Sequence, residues 1–139
     1  MNEKRIEKKF VLGKFKDDFF KKIFIFNGFT KKYPDRIISS IYLDTINYDF
    51  AKDNISGVSE RKKIRFRWYN NNLDKIYIEE KNKRNFSVWK NIKKLDFKVN
   101  RKKLFENLKN NFINIKFKNN YNYKFVLKTN YKRSYWHSN

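Results

Sequence analysis

The sequence predicts an α+β fold: an antiparallel sheet that can curl toward a β-barrel, flanked by two or three helices. Three observations predict it. Residues 61–69 alternate cations (Arg61, Lys63, Arg65, Arg67) with apolar residues (Ile64, Phe66, Trp68), the period of a strand with one wet and one buried face. The run Asn70-Asn71-Asn72 then supplies a reversal, so residues 75–83 can pair back as an antiparallel hairpin. Residues 19–26 and 100–110 instead space their apolar side chains at the helical period.

A chain of 139 residues is long enough for one domain with a real core, and residues 1–139 are read as a single domain. It is 40% hydrophobic and 19% aromatic, which argues against disorder. The absence of cysteine excludes disulfides and thiolate metal sites and fits a reducing compartment. No apolar run approaches the roughly 20 residues of a membrane helix, so a soluble, cytoplasmic protein without a transmembrane segment is expected. The net charge of +21 points to an anionic partner: nucleic acid, a phosphate-rich small molecule or a membrane surface. Much of that charge is lysine in a chain also rich in Asn, Ile, Phe and Tyr, the signature of A/T-rich codons. Arginine is the more informative cation. Three of the eight arginines fall within residues 61–67, all on one face.

Taken in order, residues 5–12 read as a first strand, with Arg5, Glu7, Lys9 and Val11 on one face and Gly13 closing it. Asp17-Asp18 favour a helix start, and Phe19, Phe20, Ile23, Phe24 and Phe26 form its apolar side. Asn27-Gly28 ends that helix, and Tyr33-Pro34-Asp35 reads as a turn. Residues 36–45 read as a strand and residues 46–52 as a short helix that Asp44 or Thr45 can cap. Asn54-Ile55-Ser56-Gly57 makes a loop into the cationic strand. In the returning strand, Tyr77, Glu79, Lys81 and Lys83 share a face, again mixing carboxylate with cations. Residues 86–89 read as a short strand with Lys90 just beyond it. Residues 100–110 read as a helix with Leu104, Phe105 and Leu108 as its stripe, and residues 123–136 as a long strand.

If the sheet curls, these cationic faces converge on a space about wide enough for one modest ligand. Arginine would grip phosphate oxygens bidentately and lysine as a point charge. Interleaved glutamates can hold Mg²⁺ or Mn²⁺ between carboxylate and phosphate. An ordinary amphipathic sheet with its charged face in water reads equally well at this stage. Nucleic acid is a weaker candidate, because Phe66 and Trp68 lie on the face opposite the arginines, so one groove would not see both. No phosphate-binding glycine loop can be built from three glycines. The single His137 has no partner in the sequence and reads as a surface residue, and Trp89 and Trp136 read as packing residues.

Five blocks in sequence resemble a known family. Residues 40–45 (Ser-Ile-Tyr-Leu-Asp-Thr), 55–57 (Ile-Ser-Gly), 61–69 (Arg-x-Lys-Ile-Arg-x-Arg-Trp-Tyr), 78–83 (Ile-Glu-Glu-Lys-x-Lys) and 130–135 (Asn-Tyr-Lys-Arg-Ser-Tyr) look like the VTC domain, the polyphosphate polymerase branch of the triphosphate tunnel metalloenzymes. The opening residues 5–11 look like its first strand. The resemblance implies a tunnel of antiparallel strands in which a divalent metal, Mg²⁺ or Mn²⁺, assists transfer of the γ-phosphoryl group of ATP onto polyphosphate. It implies Arg65, Arg67 and Lys81 as catalytic residues. Lys9, Arg61, Lys63, Lys83, Lys90 and Arg133 would bind substrate; Glu7 and Glu79 are the carboxylates best placed to help with metal, each equally able to pair with neighbouring lysines. Arg5 departs from the superfamily's Glu-x-Glu-x-Lys opening. Family members continue past the Tyr-x-Arg strand with further strands, so the expectation is an incomplete barrel, lacking the C-terminal strands or completed by a second chain, and the alternative to a polymerase is a non-catalytic polyphosphate-binding module.

Overall fold

The structure, a computed structural model, describes residues 10, 11, 13, 17–96, 99–112 and 122–138. The strand expected over residues 5–12 lies outside them, apart from Phe10 and Val11, which carry no regular structure. Among the described residues there are three α-helices and five strands: α1 (Asp17–Phe26), β1 (Phe29–Thr45), α2 (Asp49–Ser56), β2 (Glu60–Tyr69), β3 (Tyr77–Arg84), β4 (Ser87–Lys94), α3 (Leu104–Phe112) and β5 (Tyr123–Ser138). A single 3-10 turn, Arg101–Lys103, leads into α3, with the Asn100 side chain accepting from the Lys102 amide. Among the described residues the strands form one antiparallel sheet in the order β4-β3-β2-β1-β5, which is not closed. None of the described helices is long and apolar enough to cross a membrane.

The chain divides into two compact units. The smaller holds α1, the start of β1 and the end of β5. Phe24 of α1 packs its ring on Phe29 and Trp136, at 5.5 and 5.8 Å between centroids. The Ser134 hydroxyl donates to Asp35, which also holds Lys31. His137 does have a partner, the Thr30 hydroxyl 3.2 Å from its Nε2. The expected turn at Tyr33-Pro34-Asp35 is not formed: β1 runs straight through it. Proline's fixed φ is compatible with extended chain, and on the β2 side its missing N–H costs nothing, because β1 meets β2 only from Ile38 onward.

The larger unit, residues 36–133, carries the core. Alternation along β1 and β2 puts Ile41, Leu43, Ile64, Phe66 and Trp68 on one face of the sheet, where Ile78 joins them from β3. Leu104 and Leu108 of α3 close over that face, and Phe50 of α2 packs against it. Phe105, expected in the α3 stripe, is half-exposed but touches Phe125 at 5.8 Å.

Helix α2 begins three residues later than its sequence pattern suggests. Tyr48 sits in the left-handed region (φ 59°) and breaks the chain before Asp49. Both expected caps act across this break. The buried Asp44 carboxylate accepts from the amides of Thr45, Phe50 and Ala51 at 2.8, 2.9 and 2.9 Å, and Thr45 Oγ1 accepts from the Asp49 amide. Gly57 (φ 70°) ends the helix where a side chain would be strained. Asn70 and Asn71, at φ 50° and 57°, make the β2–β3 reversal as their sequence predicts. β4 runs to Lys94, well beyond the short strand read over residues 86–89, because Lys90, Ile92 and Lys94 continue the pairing with β3.

Candidate functional site

The face opposite the core is built from cross-strand rows. Lys63 stands opposite Lys81, which stands opposite Lys90; Arg61 faces Lys83. One rung further along, Tyr42, Arg65 and Glu79 align, and beyond them Ser40, Arg67 and Tyr77. Like charges placed directly opposite in an antiparallel sheet are destabilising, so a row of three lysines runs against sheet stability.

Glu79 is the exception in this row system. It is only 4% exposed, and cations hold both of its oxygens. Arg65 places Nε and Nη2 each 2.7 Å from Oε2, Arg67 Nη1 lies 3.5 Å from the same oxygen, and Lys90 Nζ donates to Oε1 at 2.9 Å. Burial by itself would push the Glu79 pKa up, but the Lys90 hydrogen bond and the Arg65 and Arg67 charges together hold it below the ordinary value of 4.5. Burial likewise opposes the charge on Arg65, and the Glu79 carboxylate with the Tyr42 hydrogen bond outweighs it, raising its pKa. Arg65 Nη1 donates to the Tyr42 hydroxyl at 2.9 Å, and Arg67 Nε to Ser40 Oγ at 3.4 Å. A guanidinium carries five N–H donors, so both arginines retain donors for a further acceptor.

Beside this cluster lies a cavity of about 330 Å³ lined by Asn54, Arg61, Lys63, Lys81, Lys83 and Val88. Four of its six lining residues are cationic and none is acidic. Across the sheet, Glu80 is occupied by Lys62 at 2.9 Å and Asn91 at 3.3 Å; burial would raise its pKa, and these partners lower it instead.

The structure thus brings together eight of the residues singled out in the sequence: Arg61, Lys63, Lys81 and Lys83 around the cavity, and Arg65, Arg67 and Lys90 around Glu79. Lys9 and Glu7 lie outside the described residues. Arg133 is exposed on β5, which β1 separates from β2. Sequence reading missed Ser40 and Tyr42. The signal was present, since alternation along residues 36–45 puts both hydroxyls on one face, but only the β1–β2 register aims that face at the arginines.

Compared with models of known protein families, the chain matches the one described as VTC domain over residues 4–139. The chain belongs to the VTC domain family. No curated protein matches it. Of the two glutamates expected to hold a divalent cation, only Glu79 lies among the described residues. Among them no group of three or more His, Cys, Asp or Glu side chains is placed to hold a metal ion, and Glu79 has both oxygens committed to cations.

Proposed function

We propose that this VTC domain grips the phosphate chain of ATP or polyphosphate on its cationic sheet face and serves phosphoryl transfer of the polyphosphate polymerase type. The observation that carries the reading is the cavity lined by Arg61, Lys63, Lys81 and Lys83 without a carboxylate, set beside a cluster in which three cations share one glutamate. An amphipathic sheet facing water has no need of three lysines in one cross-strand row; a polyanion laid along them converts that repulsion into binding. Lys63, Lys81, Arg61 and Lys83 would hold non-bridging oxygens. Arg65, Arg67 and Lys90 would stabilise charge on the transferring group, and Arg133 would add a grip from β5. Phosphoryl transfer needs positioning and charge stabilisation more than a protein nucleophile. Mg²⁺ or Mn²⁺ bound together with the phosphate chain would supply charge neutralisation. A second chain extending the sheet toward a closed tunnel would add at an edge, β4 or β5.

Nucleic acid fits less well. Phe66 and Trp68 are 0% and 4% exposed on the opposite face, so they offer no stacking surface beside the cations. The test compares tripolyphosphate, ATP and single-stranded DNA by titration calorimetry at matched salt, in the wild type and in Lys63→Ala plus Lys81→Ala. Both lysines are exposed and free of the Glu79 cluster, so the double variant should fold. Loss of tripolyphosphate affinity on the order of a hundredfold or more is expected. Tighter binding of DNA, indifferent to the double change, would sink the reading. Incorporation of labelled γ-phosphate from ATP into polyphosphate, with Mg²⁺ or Mn²⁺ present, separates turnover from binding alone.

A further inference from the structure

We infer that Glu79 is a positioning residue that sets Arg65, Arg67 and Lys90 for a bound phosphate chain, and is not a metal ligand. This rests on the phosphate-gripping reading and deepens it. Three features argue for it. The first is the depth of the groups: the Glu79 side chain is 5% exposed, Arg67 9%, Arg65 23% and Lys90 38%. An anion reaching this face meets the cations and not the carboxylate beneath them.

The second is the division of the carboxylate, with Oε2 taken by the two arginines of β2 and Oε1 by the lysine of β4. One side chain on β3 therefore ties both neighbouring strands' cations to a common point. The third is the support from β1, where Tyr42 and Ser40 hold the arginines from the far side. Groups anchored on two sides lose little further freedom when they bind, which is what a preorganised anion site requires. A metal ion at Glu79 would have to displace these cations and then sit among them, with repulsion from each.

Glu79→Gln keeps the shape and removes the charge, and the possible roles give different results. Tripolyphosphate binding is measured in EDTA, with Mn²⁺ binding to the protein alone measured separately. A positioning role predicts tripolyphosphate binding weakened on the order of tenfold in EDTA, Mn²⁺ binding unaltered, and partial recovery in Glu79→Asp. Equal or tighter tripolyphosphate binding in Glu79→Gln would mean that the carboxylate only offsets positive charge, and the inference fails. Lost Mn²⁺ binding with tripolyphosphate unaffected in EDTA would make it a metal ligand, and the inference fails again. Tyr42→Phe covers the case in which Glu79→Gln does not fold, because it frees Arg65 on one side without altering any charge or carboxylate. It should weaken tripolyphosphate binding severalfold, and unchanged affinity there counts against positioning. A wild-type protein that ignores tripolyphosphate altogether overturns the phosphate reading itself, a result distinct from all of these.

Discussion

Replacing Lys81 by glutamine should make this protein more stable and less able to bind phosphate. Lys81 lies between Lys63 and Lys90 across the sheet, an exposed cation with like charge on both sides. Directly opposed like charges cost roughly 0.2–1 kcal/mol per pair. The Lys90 charge is already offset by Glu79, so most of the relief comes from Lys63. A gain of about 0.3–1 kcal/mol follows, worth a few degrees in melting temperature for a domain of this size. Because the row is exposed, the gain should shrink as salt screens it. Binding moves the other way. A charged hydrogen bond to phosphate contributes about 1.5–3 kcal/mol, so tripolyphosphate affinity should fall roughly ten- to a hundredfold. Urea unfolding at low and high salt, with calorimetric titration of tripolyphosphate on the same samples, reads both effects. A Lys81→Gln protein that is less stable than the wild type and binds as before would refute the argument that the row is held against its own repulsion for an anion.

Three further outcomes follow from the same geometry. Arg65→Lys keeps a charge but cannot reach Glu79 and Tyr42 together, so tripolyphosphate affinity measured by calorimetry should drop on the order of tenfold. Asp44→Ala removes a buried carboxylate that satisfies three backbone amides and should destabilise the fold by about 2–3 kcal/mol in urea unfolding. Glu79 has its pKa depressed in the folded state, so its contribution to stability is complete above about pH 4.5 and is lost as pH falls through the lower folded value. Unfolding free energies followed from pH 6 down to pH 3 should therefore decline less steeply in Glu79→Gln than in the wild type.

Local periodicity made most of the strands and helices legible. The cationic strand, its asparagine reversal and the helix over residues 100–110 each carry a pattern that depends only on their own residues. Pro34 misled because proline's turn preference is a local average, whereas its fixed φ also suits an extended chain, and β2 does not reach β1 at that point. The start of α2 misled because a tyrosine in the left-handed region is rare enough that no residue type announces it.

The site divides the same way. Alternation along one strand shows which residues share a face, but it cannot show which cation a glutamate will neutralise. That depends on register between strands. A shift of β3 by two residues against β2 would preserve every face and place Glu79 opposite Lys63 or Arg67 in place of Arg65. Arg65 would then lose the aligned carboxylate that, with Tyr42, fixes its guanidinium from both sides. The register is specified by the apolar face, where Phe66 stands opposite Ile78 and Ile41, buried residues that a slip would mismatch. The packing of the core therefore decides which charges meet on the other side of the sheet, and a volume change at Phe66 or Ile78 should reach the cationic face through register rather than through contact.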